Sequence, residues 1–133
     1  MACPFCNIER SRIVAESPLA VALRDEFPVN PGHTLVVPRF HVASWFDAPP
    51  EERRALMALV DTVKAALDND RHPDGYNIGI NVGAAAGQTV MHLHVHVIPR
   101  FAGDVDDPTG GVRFVIPSRG NYRRPGHLPE AKR

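Results

Sequence analysis

The sequence predicts an α+β fold: a mostly antiparallel sheet with one long helix and one short helical turn. Three observations predict it. Leu56, Leu59, Val60, Val63 and Leu67 recur at spacings of three and four, the apolar face of one amphipathic helix. Short β-prone segments bounded by Gly and Pro lie on both sides of that helix. Their order of strand, strand, helix, strand, strand lacks the regular alternation of a parallel sheet. Thirteen prolines in 133 residues, about twice ordinary usage, keep the elements short and the turns fixed.

In chain order, Asn7–Arg12 reads as one short helical turn and Leu19–Arg24 as a strand. Asn30-Pro31-Gly32 is a turn, and His33–Val37 a second strand closed by Pro38. The helix spans Pro50–Asp68, with Asp47 expected as its cap and Pro49 and Pro50 suited to a first turn. Glu51 and Glu52 sit at the positive end of its dipole. His72-Pro73-Asp74-Gly75 turns the chain into a strand over Tyr76–Val82. A small-residue loop, Gly83–Gly87, precedes a strand over Val90–Ile98. Ala102–Gly111 is an acidic loop, and Val112–Ile116 is expected to be a last short strand.

Length suits a single domain over residues 1–116, followed by a basic tail over 117–133. That tail carries Arg119, Arg123, Arg124, Lys132 and Arg133 against Glu130 alone. Fifteen basic residues balance fifteen acidic ones, so a dominant nucleic-acid footprint is excluded and a nucleic-acid partner is not expected. No apolar run approaches the ~20 residues of a membrane helix. Two cysteines are too few for a disulfide scaffold, and the N-terminus has no apolar signal region. A soluble cytoplasmic protein is expected.

The informative segment runs from Ala86 to Arg100. In a regular strand His92, His94 and His96 share one face while Leu93, Val95 and Val97 enter the core. The outer two would lie about 13 Å apart along the strand, too far to share one metal ion at bonds of ~2 Å. Nucleophilic catalysis on phosphorus is the better use. Neutral imidazole has an unperturbed pKa of about 6.5 and is a good nucleophile near neutrality. Flanking histidines could donate to phosphate oxygens. The small loop before them lets backbone N–H groups approach an anion, and Gln88 and Thr89 add side-chain hydrogen bonding.

The run from Asn81 through Ala86-Gly-Gln-Thr-Val, the three alternating histidines and Val97-Ile-Pro-Arg100 resembles the signature of the histidine triad (HIT) family. Pro31-Gly-His-Thr-Leu-Val-Val-Pro38 is similar to the family's other characteristic strand, and Cys3-Pro-Phe-Cys6 to the start of many bacterial members. The Ala-Gly-Gln-Thr-Val run with Arg100 and Ala102-Gly-Asp104 looks closer to the fragile-histidine-triad, dinucleoside polyphosphate hydrolase branch.

The resemblance implies a five-stranded antiparallel sheet and a homodimer. It implies a purine nucleotide substrate cleaved at the α-phosphate through a nucleotidyl-histidine, releasing AMP or GMP. His94 takes the nucleophile's position and His96 the phosphate-contacting one. Gln88, the third catalytic candidate, and Thr89 match residues near the α-phosphate, with Gly87 beside them. His33 matches a histidine that supports the site, Asp25 the group that grips the ribose, and Asn81 another nucleotide contact. Phe5, Ile8 and Leu23 match apolar positions around the base, although plain core is an equal reading for them.

Some bacterial members carry structural zinc on a Cys-x-x-Cys pair and two histidines. Here Cys3, Cys6, His41 and His92 match that set, which would be tetrahedral and closed. A redox reading of Cys3-Pro-Phe-Cys6 is weaker, since no βαβ unit surrounds it. The competing functional class is a nucleotide-binding sensor or interaction module with little turnover.

Overall fold

A computed structural model describes residues 3–123 of the chain. It divides into two compact units at Arg100/Phe101. The first holds all five strands: β1 (Ile13–Glu16), β2 (Ala20–Arg24), β3 (Thr34–Pro38), β4 (Gly75–Ile80) and β5 (Val95–Arg100). They form one antiparallel sheet in the order β1-β2-β3-β5-β4. The helix α1 runs Pro50–Arg71.

Strand alternation sorts the sheet's apolar residues onto two faces. Ala20, Ala22, Val36, Val95 and Val97 pack beneath Leu56, Leu59, Val60, Val63 and Leu67 of α1. Each buried leucine there contributes about 1.5–3 kcal/mol. On the opposite face Val21, Leu23, Leu35 and Val37 are covered by Phe5, Ile8 and Ile13. This second face also carries His96, which stands opposite Leu35 in the β3–β5 ladder.

Several expectations change. The first strand is Ile13–Glu16, whose four residues are too short for a periodic signal, and it pairs with β2. The short helical turn is Arg10–Arg12. Val112–Ile116 is not a strand: a 3-10 turn covers Gly111–Val115, and Gly110 and Gly111 enter it at φ 104° and 50°. Asp47 does not cap α1. It ends a 3-10 turn, Trp45–Asp47, that Ser44 caps by accepting from Phe46 N–H at 3.0 Å. Pro49 is the residue before α1 and makes no side-chain cap, so Pro50 opens the helix by its fixed φ alone. The helix runs past Asp68 to Arg71 and ends at His72, whose left-handed backbone at φ 51° turns the chain while its N–H bonds Asp68 O. Lys64 and Tyr76 both donate to the Asp68 carboxylate, at 2.7 and 2.8 Å.

Gly32 sits at φ +94°, and a Cβ there would lie 2.9 Å from both Arg71 Cδ and Leu67 Cδ2. Gly32→Ala is expected to cost about 1–2 kcal/mol by urea unfolding, from strain plus crowding. An unchanged midpoint would contradict this.

The second unit, from Phe101 onward, is built of turns. Arg113 donates there to Gly120 O at 3.1 Å and stacks on Tyr122. The rest of the basic tail, from Arg124, and His127 lie outside the described residues.

Candidate functional site

The histidines do not share one regular strand. β5 begins at Val95, so His92, in a bend, and His94 precede the ladder. Leu93 N–H bonds Val42 O at 2.7 Å, tying this stretch to the loop before α1. Leu93, Val95 and Val97 do fill the core, as alternation requires. The rings, however, diverge into two groups. His94 and His96 stay together at 5.1 Å between centroids, while His92 meets His41 at 5.0 Å.

Hydrogen-bond partners set each ring's tautomer, since a carbonyl can only accept and a backbone N–H can only donate. His94 Nδ1 lies 2.8 Å from His92 O, so Nδ1 carries the proton and Nε2 keeps its lone pair. Val29 N–H donates to His33 Nδ1 at 3.0 Å, so neutral His33 carries its proton on Nε2. That Nε2 lies 3.0 Å from His96 Nδ1 and 3.3 Å from Asp25 Oδ2. Donation to His96 Nδ1 leaves His96 Nε2 as an N–H donor. The pair therefore presents one nucleophilic nitrogen, on His94, beside one hydrogen-bond donor, on His96.

The same logic sorts two candidate metal clusters. Cys3, Cys6, His41 and His92 place one ligand atom each within 4.8 Å of one another. Cys3 Sγ and Cys6 Sγ lie 3.4 and 3.6 Å from His92 Nδ1, and Cys6 Sγ lies 3.2 Å from His41 Nδ1. His92 Nε2 donates to Pro38 O at 2.9 Å, which leaves Nδ1 basic and aimed at the thiols. The donor set fits zinc, whose tetrahedral edges at ~2.1–2.3 Å bonds are about 3.5 Å. Asp25, His33 and His96 also come within 4.8 Å. There the Val29 bond keeps a proton on the very nitrogen a cation would need, so that cluster is a hydrogen-bonded relay.

Burial holds His96 down at about 4; neighbouring His94 and His33 add to this and Asp25 opposes it. Burial also lowers His33, against Asp25, and burial is the largest cause of the lowering at His92. Unfolded histidine titrates near 6.5, so between about pH 6.5 and 4 the unfolded chain binds the extra proton. His96 therefore contributes stability that is complete above pH 6.5 and lost as pH falls toward 4. With 23% of the ring still exposed, the loss is about 2 kcal/mol. Urea midpoints at pH 7 and 4.5 are expected to differ less in His96→Gln than in wild type; equal differences would refute this.

The remaining expected residues fall into place unevenly. The Gln88 side chain is 4% exposed, and all its amide bonds go to backbone. Oε1 accepts from Gly83 N–H at 2.9 Å, and Nε2 donates to Ala43 O and Val90 O at 2.9 and 3.0 Å. It clamps the small-residue loop, and a phosphate contact from Nε2 requires exchanging one of these bonds. The loop closes on itself as well: Ala86, Gly87 and Gln88 N–H groups all bond within it. Those groups are not the free anion cradle that small residues suggested. Gly83 and Gly87, at φ 91° and 95°, allow the closure. Thr89 and Gly87 are exposed, and Asn81 is half-buried.

Asp25 Oδ1 accepts from Phe27 N–H at 2.8 Å. Each carboxylate oxygen can accept again, so a diol contact stays open. Phe5 and Ile8 line a cleft of about 180 Å³ with Val21, Val37 and Arg39. Leu23 is wholly buried in the same apolar cluster, beneath Phe5 and Ile8. The decisive groups that residue patterns missed are backbone ones, Val29 N–H, His92 O and Pro38 O. No side-chain pattern signals them.

A HIT domain model matches residues 8–103. An uncharacterized HIT-like protein of Saccharolobus solfataricus is 38% identical over 108 residues, 78% of each chain. The AP-4-A phosphorylase of Mycobacterium tuberculosis is 39% identical over 115 residues, covering 84% of this chain but only 59% of its own length. Among solved structures, a Zn-bound histidine triad family protein from Mycobacterium smegmatis is 40% identical, with a TM-score of 0.65 over 69% of this chain and 67% of its own. With its five-stranded antiparallel sheet, its long helix and its paired triad histidines, this chain belongs to the HIT family.

Proposed function

We propose that the protein is a nucleotidyl hydrolase or transferase acting at the α-phosphate of a purine nucleotide donor. The observation that carries this reading is the 2.8 Å bond from His94 Nδ1–H to His92 O, which leaves Nε2 with its lone pair. In the proposed first step His94 Nε2 attacks the α-phosphorus, an N–P bond forms, and the bond from phosphorus to the leaving oxygen or nitrogen breaks. His96 Nε2–H donates to a phosphate oxygen as charge builds there. In the second step water attacks the same phosphorus and gives up a proton to solvent, balancing the one the leaving group takes up from solvent; the N–P bond breaks, and AMP or GMP departs with His94 restored. Splitting the displacement in two is the benefit of an imidazole nucleophile.

Cys3, Cys6, His41 and His92 would hold zinc, which would supply a structural cross-link with no open coordination position. A homodimer belongs to the same reading: β4 is a sheet edge, and its Ile78 is exposed. Among the described residues no helix is long and apolar enough to cross a membrane.

The test is an intact-protein mass spectrum after rapid mixing with dinucleoside polyphosphates, nucleoside phosphoramidates and nucleotidyl sulfates. Wild type is expected to gain the mass of one nucleotidyl group, and His94→Ala none. Nucleotide binding with neither labelling nor turnover would instead favour a binding module.

A further inference from the structure

Phe5 stands between two sites. In sequence it lies between the thiols Cys3 and Cys6. In space its ring meets His92 edge-on at 5.9 Å and His94 at a tilt at 5.2 Å. One aromatic side chain thus touches a ring of the Cys/His cluster and the ring that carries the nucleophilic nitrogen.

The segment around it is weakly anchored by its own backbone. The bond from Cys6 N–H to Cys3 O, at 3.2 Å, closes within the segment and does not tie it to the sheet. The described ties to the sheet are side-chain ones. Phe5 and Ile8 pack on Val21, Leu23, Leu35 and Val37, and the two thiols approach His41 and His92 at 3.2–3.6 Å. Thiol–imidazole contacts are weak. Replacing them with metal bonds of ~2.0–2.3 Å would fix both ends of the Cys3–Cys6 turn, and Phe5 with it.

We propose that Phe5 is a positioning residue that couples cation occupancy of the Cys3–Cys6–His41–His92 cluster to nucleotide affinity beside His94. A zinc ion on the cluster orders the turn and holds Phe5 against His94 and over the apolar face. A nucleotide arriving there then has less to order, and the two ligands reinforce each other without sharing an atom. Linkage makes the effect reciprocal: the nucleotide tightens zinc binding by the factor by which zinc tightens the nucleotide. The inference rests on the reading above that a nucleotide binds beside His94.

The experiment is calorimetric titration of AMP and of GMP into wild-type protein, zinc-loaded and after chelation, with far-UV circular dichroism to establish that both forms are folded. Zinc is expected to tighten nucleotide binding about tenfold, within the usual span of coupling between sites. In Phe5→Ala both forms are expected to bind at the weaker level, so the zinc ratio falls to one, and Phe5→Leu restores part of it. Equal affinity in the two wild-type forms overturns the proposal. So does a Phe5→Ala variant that weakens both forms alike and keeps the ratio, because Phe5 would then be a plain contact. The reciprocal measurement, zinc affinity by chelator competition, is expected to rise about tenfold on adding AMP or GMP to wild type and not to Phe5→Ala. No rise in wild type overturns the coupling. Failure of AMP and GMP to bind either folded form would overturn the proposed function itself, an outcome distinct from binding that ignores zinc.

Discussion

His94→Ala is expected to lower kcat on a dinucleoside polyphosphate by at least about 10⁴-fold, while AMP still binds within a few-fold of wild type. Removing a covalent nucleophile forces direct attack by water on phosphorus, and knockouts of such residues leave only the contribution of binding and charge stabilisation. The ring is 9% exposed, and its Nδ1 is held by the His92 carbonyl at 2.8 Å. Its loss removes the one oriented nitrogen, and far-UV circular dichroism checks that the variant is folded. His94→Asn, which keeps polarity without the nucleophile, is expected to fall as far. Steady-state rates with product binding by calorimetry check both halves. Substantial turnover in either variant would move the nucleophile elsewhere and sink the proposed reaction.

The second large effect is expected at His33, a residue that donates no atom to the reaction. His33→Ala removes the Nε2–H that lies 3.0 Å from His96 Nδ1 and 3.3 Å from Asp25 Oδ2. His96 is then free to take the other tautomer, with its proton on Nδ1 facing Asp25 and a lone pair on Nε2. A lone pair aimed at phosphate oxygens repels them where a donor stabilised them. The expected cost is about 10²-fold in kcat with little change in KM, comparable to losing one donor to a developing oxyanion. Because His33 acts through His96, the two substitutions are expected to be non-additive: His96→Ala in the His33→Ala background adds little. Full additivity in that cycle would show that His33 acts by another route.

The particular elements show why some features were legible in the sequence and others were not. The helix was legible because five apolar residues at helical spacing meet a sheet face. Its start at Pro50 was legible too, but its cap was not, because Asp47 has the composition of a cap and is diverted into a Ser44-capped turn. β2, β3 and β5 carry apolar runs, whereas Ile13–Glu16 is four residues long and finds its strand only by pairing with β2. Val112–Ile116 has β-prone composition, but Gly110 and Gly111 at positive φ turn the chain instead. Gln88 was legible as a polar group near the site and illegible as a clamp, since its partners are the backbone atoms of Ala43, Val90 and Gly83.

What the sequence determined by itself is the inventory: an alternating His-x-His-x-His run, a Cys-x-x-Cys pair, His33 and Asp25 ahead of them, and the apolar periods that build a sheet under a helix. Those are properties of residue type and spacing, and they suffice for the family. The tertiary structure alone decided which nitrogen on each ring holds the proton. Pro38 O, Val29 N–H and His92 O are main-chain groups, fixed in place by β3, by the turn before it and by the chain entering β5. Every residue but proline offers the same N–H and C=O, so no residue pattern can mark them. Yet these bonds leave a basic nitrogen facing the thiols on His92, a lone pair on His94 Nε2 and an N–H on His96 Nε2, which is how three identical side chains come to offer three different groups to the proposed reaction.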